Sequence, residues 1–374
     1  MKLQRISAAA LALGLLAGCS AGRGIYANYR PIEDLLPVET LGLDADGGAL
    51  RLSAAVEKGF DSGADAVKAA APGLVQGLAA LQDRAGGGRV FFSHCQSFVL
   101  GEDYARAGVG GLFDYVERDI HTRMGTHLFV VRSGTAAARV TGCADVTALL
   151  AAVRAETTER GDSHVFDLRE TAVAGSESGA ALICALSLVQ GDKEGLSAVP
   201  AGYGILAGGR LAGYLDGGEA RAASLLLGVL GSAALRIEAE TGGAATVILR
   251  CAAPEIRCRR SAEGGVALDI RAATELELAA VEGGADWTDP AYQAALTAAV
   301  NETLRADMAA VLARSRAMGA DFLGLTRALR RAGIDPGTLP PDWVKTMEFA
   351  ITVEAVLTRS DGLGAPLGVA GGGV

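Results

Sequence analysis

The sequence is poor in aromatic residues and lacks a long apolar segment, and each shortage excludes a class of structure. Phe, Trp and Tyr make up 5% of the 374 residues, against 51 glycines, so the core must be built from Ala, Leu and Val. The longest apolar run, residues 222–235, is shorter than the ~20 residues of a membrane-spanning helix. Half of the residues are apolar, which excludes long disorder. We therefore expect a folded body without a transmembrane helix.

Basic residues are outnumbered, with 34 Lys and Arg against 43 Asp and Glu, so the net charge is −9. Removal of residues 1–18 would delete two positive charges, Lys2 and Arg5, and no acid, which would leave −11. An acidic body repels phosphate backbones, and no basic stripe interrupts the sequence. We therefore expect no nucleic-acid partner.

Cysteine is rare and its spacing is irregular. The six cysteines are Cys19, Cys95, Cys143, Cys184, Cys251 and Cys258. None forms a CxxC motif, and a body of this size can build its core without disulfides. Cys251 and Cys258 could meet across a hairpin, but a spacing of seven does not diagnose a bond. Buried free thiols are the expectation, and a disulfide between these two stays open.

The sequence also lacks the residue sets that carry catalysis. His94 and Cys95 are adjacent, and neighbouring side chains on a strand point to opposite faces, so they do not form a thiol–imidazole pair. The four histidines show neither HxH nor HxxxH spacing, which argues against a metal site. The segment GYGILAGG (202–209) lacks GxGxxG spacing and is better explained as a glycine-punctuated hairpin. We expect no catalytic residue, no metal and no cofactor, and hence no enzyme.

Charged residues alternate in sign along DYVERDIHTR (114–123) at spacings of three and four. This pattern is typical of a solvated helix face with ion pairs. It also suits a contact surface for a partner, and the sequence does not decide between the two.

The N-terminus carries a processing signal. Lys2 and Arg5 precede an apolar stretch, residues 8–17, which is too short for a permanent span and suits a secretory signal. The tetrapeptide LAGC then resembles the lipobox of bacterial lipoproteins, cut between Gly18 and Cys19. Small side chains before the cut suit a peptidase, and the Cys19 thiol is the nucleophile that carries the diacylglycerol. The alternative is an ordinary signal peptide with an incidental cysteine.

From residue 30 onward, the sequence shows two successive patterns of predicted strands and helices. Strands alternate with helices up to about residue 176, which favours an α/β domain over residues 30–176. The turn-rich DADGG (44–48) should join two partner strands, and residues 145–156 should form a helix with Asp145 near its start. Within this domain, residues 64–83 have helical spacing, although Pro72 must kink or divide that helix. Antiparallel strands and then helices follow over residues 177–362, with a possible subdivision near 286. The fold class is therefore α/β of the mixed α+β kind, with several domains and mixed or antiparallel sheets flanked by helices.

The remaining elements complete this organisation. Residues 1–18 are the signal peptide, 19–29 a lipid-anchored tether and 363–374 a disordered tail. In the second domain we expect a long helix from Pro290 to about Arg316, with Asp289 as its start signal. A second helix over residues 320–333 and an edge or closing strand over residues 346–362 should follow.

Five segments, in this order and behind the lipobox, resemble the Ger(x)C family, the C subunits of nutrient germinant receptors in endospore-forming bacteria. They are residues 30–44, 91–109, 112–140, 202–228 and 319–362. The resemblance implies a lipoprotein on the outer face of the spore inner membrane. It also implies that the protein acts together with two integral membrane subunits, of the A and B type, in a receptor that responds to nutrients. It implies no catalytic residue, and Cys19 is the position that it assigns to the lipid.

The chain departs from the family in a longer, Gly-containing tether and in its richness in Ala and Gly. Two other functions are compatible with a lipobox. A substrate-binding lipoprotein of a transporter would have two Rossmann-like lobes, and the antiparallel pattern after residue 180 argues against it. A lipid-anchored hydrolase is disfavoured by the missing nucleophile–base set.

Replacing Cys19 with Ala tests the lipid anchor. We expect the variant to lose all label from fatty acid and to leave the membrane fraction, because the thiol is the acylated atom. Labelling of spore-forming cells, followed by fractionation, measures both. A variant that carries no label but still fractionates fully with membranes would contradict the anchor, since partner binding would then hold the protein there.

Overall fold

The computed structural model describes residues 35–56, 66–85, 89–119, 122–143, 145–191, 196–238, 244–262, 264–282 and 286–359. The strands are Leu35–Asp46 (β1), Ala49–Val56 (β2), Val67–Ala71 (β3), Arg89–Phe91 (β4), Ser97–Gly101 (β5), His127–Arg132 (β6), Ala180–Gln190 (β7), Leu196–Ala207 (β8), Arg210–Leu215 (β9), Ser232–Glu238 (β10), Ala244–Cys251 (β11), Glu255–Arg260 (β12), Val266–Val281 (β13) and Glu348–Arg359 (β14).

The helices alternate with these strands in the first half and cluster in the second. They are Leu74–Arg84 (α1), Glu102–Ala107 (α2), Gly110–Arg118 (α3), Ala136–Thr141 (α4), Val146–Arg160 (α5), Leu168–Ser178 (α6), Gly217–Leu226 (α7), Pro290–Met318 (α8), Leu325–Arg331 (α9) and Trp343–Thr346 (α10), with a 3-10 turn at Pro336–Thr338. In the described part of the chain, no helix is long and apolar enough to cross a membrane.

Nine strands form the first sheet, in the order β3-β2-β1-β5-β6-β7-β8-β9, with β4 beside the start of β1. Its centre, β1-β5-β6-β7, is parallel, and antiparallel pairs flank it on both sides. Helices α1 to α3 cover one face, where Leu81 and Leu112 are buried, and α4 and α5 cover the other, where Val140 and Leu150 are buried. Because helices cover both faces of this sheet, both faces of β5 and β6 are buried, which explains why these strands are continuously apolar.

The second sheet is organised around the 16-residue strand β13. Strands β11 and β12 pair antiparallel with successive halves of one edge of β13, β10 extends the sheet beyond β11, and β14 pairs in parallel with the other edge. Helix α8 packs across this sheet through a stripe of buried side chains at intervals of three and four residues. They are Tyr292, Leu296, Val300, Leu304, Met308, Val311 and Leu312.

One apolar core joins the two sheets. Side chains of β7, β8 and β9, including Leu182, Tyr203 and Leu215, are buried in the same cluster as α7, α8 and the second sheet. Strands on both sides of residue 176 therefore belong to the first sheet, and that sheet does not divide at the predicted domain boundary.

Several predicted elements are confirmed. The hairpin β1–β2 forms, and helix α5 begins after Asp145, whose carboxylate accepts a hydrogen bond from the Ala148 N–H at 2.9 Å. Helix α8 begins at Pro290 after the capping residue Asp289, and β14 is an edge strand.

Two boundaries were wrong. Residues 67–71 form strand β3 rather than helix, because they pair with β2, and the helix starts only after Pro72. The helix expected over 320–333 begins at Leu325, because Gly324 before it takes a left-handed conformation with φ +72°. The signal peptide, the tether and the tail over 363–374 lie outside the described residues.

A glycine bulge shapes the strand that links the two halves. Gly202 has φ +72°, and it lies where the register of β7 and β8 shifts between Cys184 and Leu186. A Cβ at this position would stand 2.0 Å from the Leu215 carbonyl oxygen. Only glycine combines this backbone conformation with this close approach of β9.

Replacing Gly202 with Ala should lower the free energy of unfolding by about 3 kcal/mol or more, since left-handed strain and a backbone clash add. Gly208→Ala is the matched control. It has φ +56° but open space around its Cβ, so only the strain of ~1–2 kcal/mol applies. Denaturant unfolding of both variants measures the difference, and equal losses would contradict the clash.

Candidate functional site

Cys95, the thiol next to a histidine, is a core residue. It is 3% exposed, and its Sγ lies 3.5 Å from the Ser97 carbonyl oxygen. Desolvation by burial raises its pKa to about 12. His94 is exposed, so the two side chains do not form a pair. The reason differs from the one expected, because both residues lie in the turn between β4 and β5 and not on a strand. A thiol with this pKa is not a nucleophile at neutral pH.

The other histidines in the described residues make structural contacts. His127 Nδ1 lies 3.1 Å from the Gln96 carbonyl oxygen, and an Arg154 nitrogen lies 3.1 Å from its Nε2. His164 packs edge-on against Phe166, and burial lowers its pKa. No group of three His, Cys, Asp or Glu in the described ranges could hold a metal.

Cys251 and Cys258 are free thiols. They lie on β11 and β12, which pair with different halves of β13, so Cys251 is opposite Thr274 and Cys258 is opposite Leu268. Both strands contact β13 rather than each other. The hairpin that would bring the two sulfurs together does not form.

The glycine-rich segment 202–209 forms a hairpin between two strands of the first sheet. GYGILAGG contains the end of β8 and a turn at Gly208 and Gly209, both with positive φ, before β9. It is the hairpin that the glycine pattern predicted.

In the charged segment 114–123, Arg118 of α3 forms an exposed ion pair with Asp114 at 2.8 Å. A solvated face is thus present, and whether it contacts a partner stays open.

The contact between the two sheets is where polar groups converge. On α6, the Glu177 carboxylate pairs with Arg327 at 3.0 Å and with Arg330 at 3.6 Å, both on α9. Deeper in the same contact, the Tyr203 hydroxyl hydrogen-bonds the Ser224 hydroxyl at 2.6 Å, and both residues are buried. The ion pairs fix α6 against α9, and the hydrogen bond fixes α7 against β8 of the first sheet.

A buried carboxylate fixes the start of α9. Asp321 is 2% exposed and accepts hydrogen bonds from the backbone N–H groups of Leu325 at 2.9 Å and Thr326 at 2.6 Å. These are otherwise unsatisfied donors at a helix start, and a negative charge there is favoured. The arginines of α9 are therefore presented from a well-anchored helix.

Two surface grooves flank α9. One, of about 300 Å³, lies between α6 and α9 and contains Glu177. The other, of about 470 Å³, lies between α9 and β12 and is lined by Arg257, Arg327 and Arg331 with apolar residues. We call the second the arginine groove. Sequence reasoning missed it, although the runs EIRCRR (255–260) and TRALRR (326–331) each carry three arginines.

The fold is that of an α+β protein in which two mixed sheets share one apolar core. A family description, spore germination protein N-terminal domain, matches residues 28–139. A second, spore germination B3/GerAC like, C-terminal, matches residues 201–361. Together they cover more than half of the chain, which belongs to the Ger(x)C family of spore germination proteins.

A solved structure agrees with this assignment. The crystal structure of the GerBC protein matches with a TM-score of 0.56 and 15% sequence identity, over 85% of this chain and 97% of that chain. At this identity the likeness shows the fold. A search of curated proteins found no match.

The raised pKa of Cys95 makes a direct prediction. The folded protein at pH 8 should leave Cys95 unmodified by iodoacetamide, because its thiolate is negligible below a pKa of about 12. Peptide mass spectrometry checks this. A Cys95→Ala variant should take up as much reagent as the parent when folded and one equivalent less when unfolded. Rapid modification of Cys95 in the folded parent would contradict the buried thiol.

Proposed function

We propose that this protein is the lipid-anchored C subunit of a nutrient germinant receptor, on the outer face of the spore inner membrane. It acts there with integral membrane subunits of the A and B type, through contacts rather than catalysis. The observation that carries the proposal is the pair of spore germination family matches over residues 28–139 and 201–361. The lipobox at Cys19 supports the anchor.

The buried state of Cys95 supports a role without catalysis. It is the thiol that adjoins a histidine, and desolvation raises its pKa to about 12. The ionic contacts of Glu177 with Arg327 and Arg330 hold two parts of the fold together and leave no free base beside a nucleophile there. Such an arrangement suits a rigid body that presents surfaces to partners.

A substrate-binding lipoprotein of a transporter is less well supported. That class would need two α/β lobes around a cleft. Strands β10 to β13 are antiparallel, and β7 to β9 share a core with them. The two halves thus share one apolar core, which does not match two separate lobes that close around a ligand.

Deletion of the gene tests the receptor role. Spores of the deletion strain should lose nutrient-triggered germination and keep germination by non-nutrient triggers, because only the receptor step is removed. Release of dipicolinate measures both responses. Complementation with the wild-type gene should restore the nutrient response, and complementation with Cys19→Ala should restore it poorly. Normal nutrient germination of the deletion strain, with no paralogue present, would overturn the proposal.

A further inference from the structure

The arginine groove has an unusual charge for this acidic chain. Arg257 reaches it from β12, and Arg327 and Arg331 reach it from α9, one helical turn apart. All three are exposed, and none of the described residues that line the groove is acidic. The chain as a whole carries a net charge of −9. The groove is therefore a locally positive region, built from two separate elements, on a chain whose net charge is negative.

The neighbouring carboxylates do not fully neutralise this cluster. Arg257 pairs with Glu255 at 2.8 Å, and Arg327 shares Glu177 with Arg330. Arg331 pairs with no carboxylate among the described residues. Exposed pairs of this kind contribute little and leave guanidinium N–H groups able to donate elsewhere. The groove therefore has donors available for an anion.

The chemistry of the lining favours a phosphate with an apolar portion attached. Each charge is a guanidinium, whose planar fork of N–H donors matches phosphate oxygens in a bidentate manner. A phosphate has enough acceptor oxygens to meet several arginines at once. The floor of the groove is apolar, with Leu227, Ile256 and Leu323 among its lining residues. A glycerophosphate headgroup meets both requirements.

We propose that the arginine groove binds the phosphate of an anionic phospholipid headgroup and so sets which face of the body lies on the membrane. This inference rests on the proposed membrane-anchored function. The 15 residues between Cys19 and Leu35 reach up to ~50 Å when fully extended, whereas a body of this size has a radius of gyration of ~20 Å. A tether of that reach does not choose a face by itself, and the groove does.

Vesicle binding tests the groove without the lipid anchor. A chain of residues 20–374, which lacks the signal peptide and Cys19 and so carries no acyl group, contains every residue that the structure describes. It should co-sediment with vesicles of phosphatidylcholine plus phosphatidylglycerol and not with pure phosphatidylcholine. The double variant Arg257→Gln, Arg331→Gln should bind the mixed vesicles roughly 30-fold more weakly, since each basic residue near an anionic surface contributes about fivefold. Both sites are exposed, so folding should be unaffected.

The matched control is Arg118→Gln, Arg305→Gln, which removes the same charge from exposed helix positions elsewhere. It should bind like the parent, and an equal loss in both double variants would overturn the groove as the site. Titration calorimetry with glycerol 3-phosphate distinguishes a membrane headgroup from a free phosphate compound as the ligand of the groove. Binding of that ligand without vesicle binding would overturn the headgroup assignment, and binding of neither would overturn the proposal. Normal vesicle binding beside a failed germination test would refute only the receptor role.

Discussion

The apolar core shared by β7 to β9 and the second sheet is the constraint on which the rest of the structure depends. Tyr203 is fully buried there and its hydroxyl meets Ser224 of α7. Gly202, the residue before it, lets β9 approach closely enough for that packing. Because this core holds α7 and α8 against both sheets, α9 and β12 have fixed places, and the groove between them is a property of the fold.

Much of the fold could be predicted because its signals are local. Asp145 and Asp289 each mark a helix start by a carboxylate that bonds the first turn, and the paired glycines 208 and 209 mark a hairpin. The failures came from distant partners. Residues 67–71 carry a helical pattern, yet they form a strand because β2 offers a ladder to pair with. Cys251 and Cys258 lie close in sequence, yet β11 and β12 pair with different halves of β13 and form no hairpin with each other.

The candidate site could not be predicted for a related reason. Arg257 and Arg327 are 70 positions apart in the chain, and only the packing of α9 beside β12 puts them on one groove. Composition points the other way, since the net charge of −9 suggests an acidic surface throughout. A search for a basic stripe along the sequence finds none, because the two runs of three arginines join only in three dimensions.

The net charge of the whole chain does not determine how a folded protein interacts with an anionic membrane surface. At physiological ionic strength the Debye length is ~8 Å, so an acidic residue on the far side of a body with a radius of gyration of ~20 Å is screened. The interaction is set by the charges on the face in contact. Elsewhere on the surface, acidic and basic residues are interspersed, as in Asp114 with Arg118 and Glu302 with Arg305. The arginine groove has no acid among its described lining residues, and of the described carboxylates only Glu255 and Glu177 pair with its arginines from outside the lining. If the proposed groove function holds, attraction to anionic headgroups is strongest on this face and favours one orientation of the protein on a membrane.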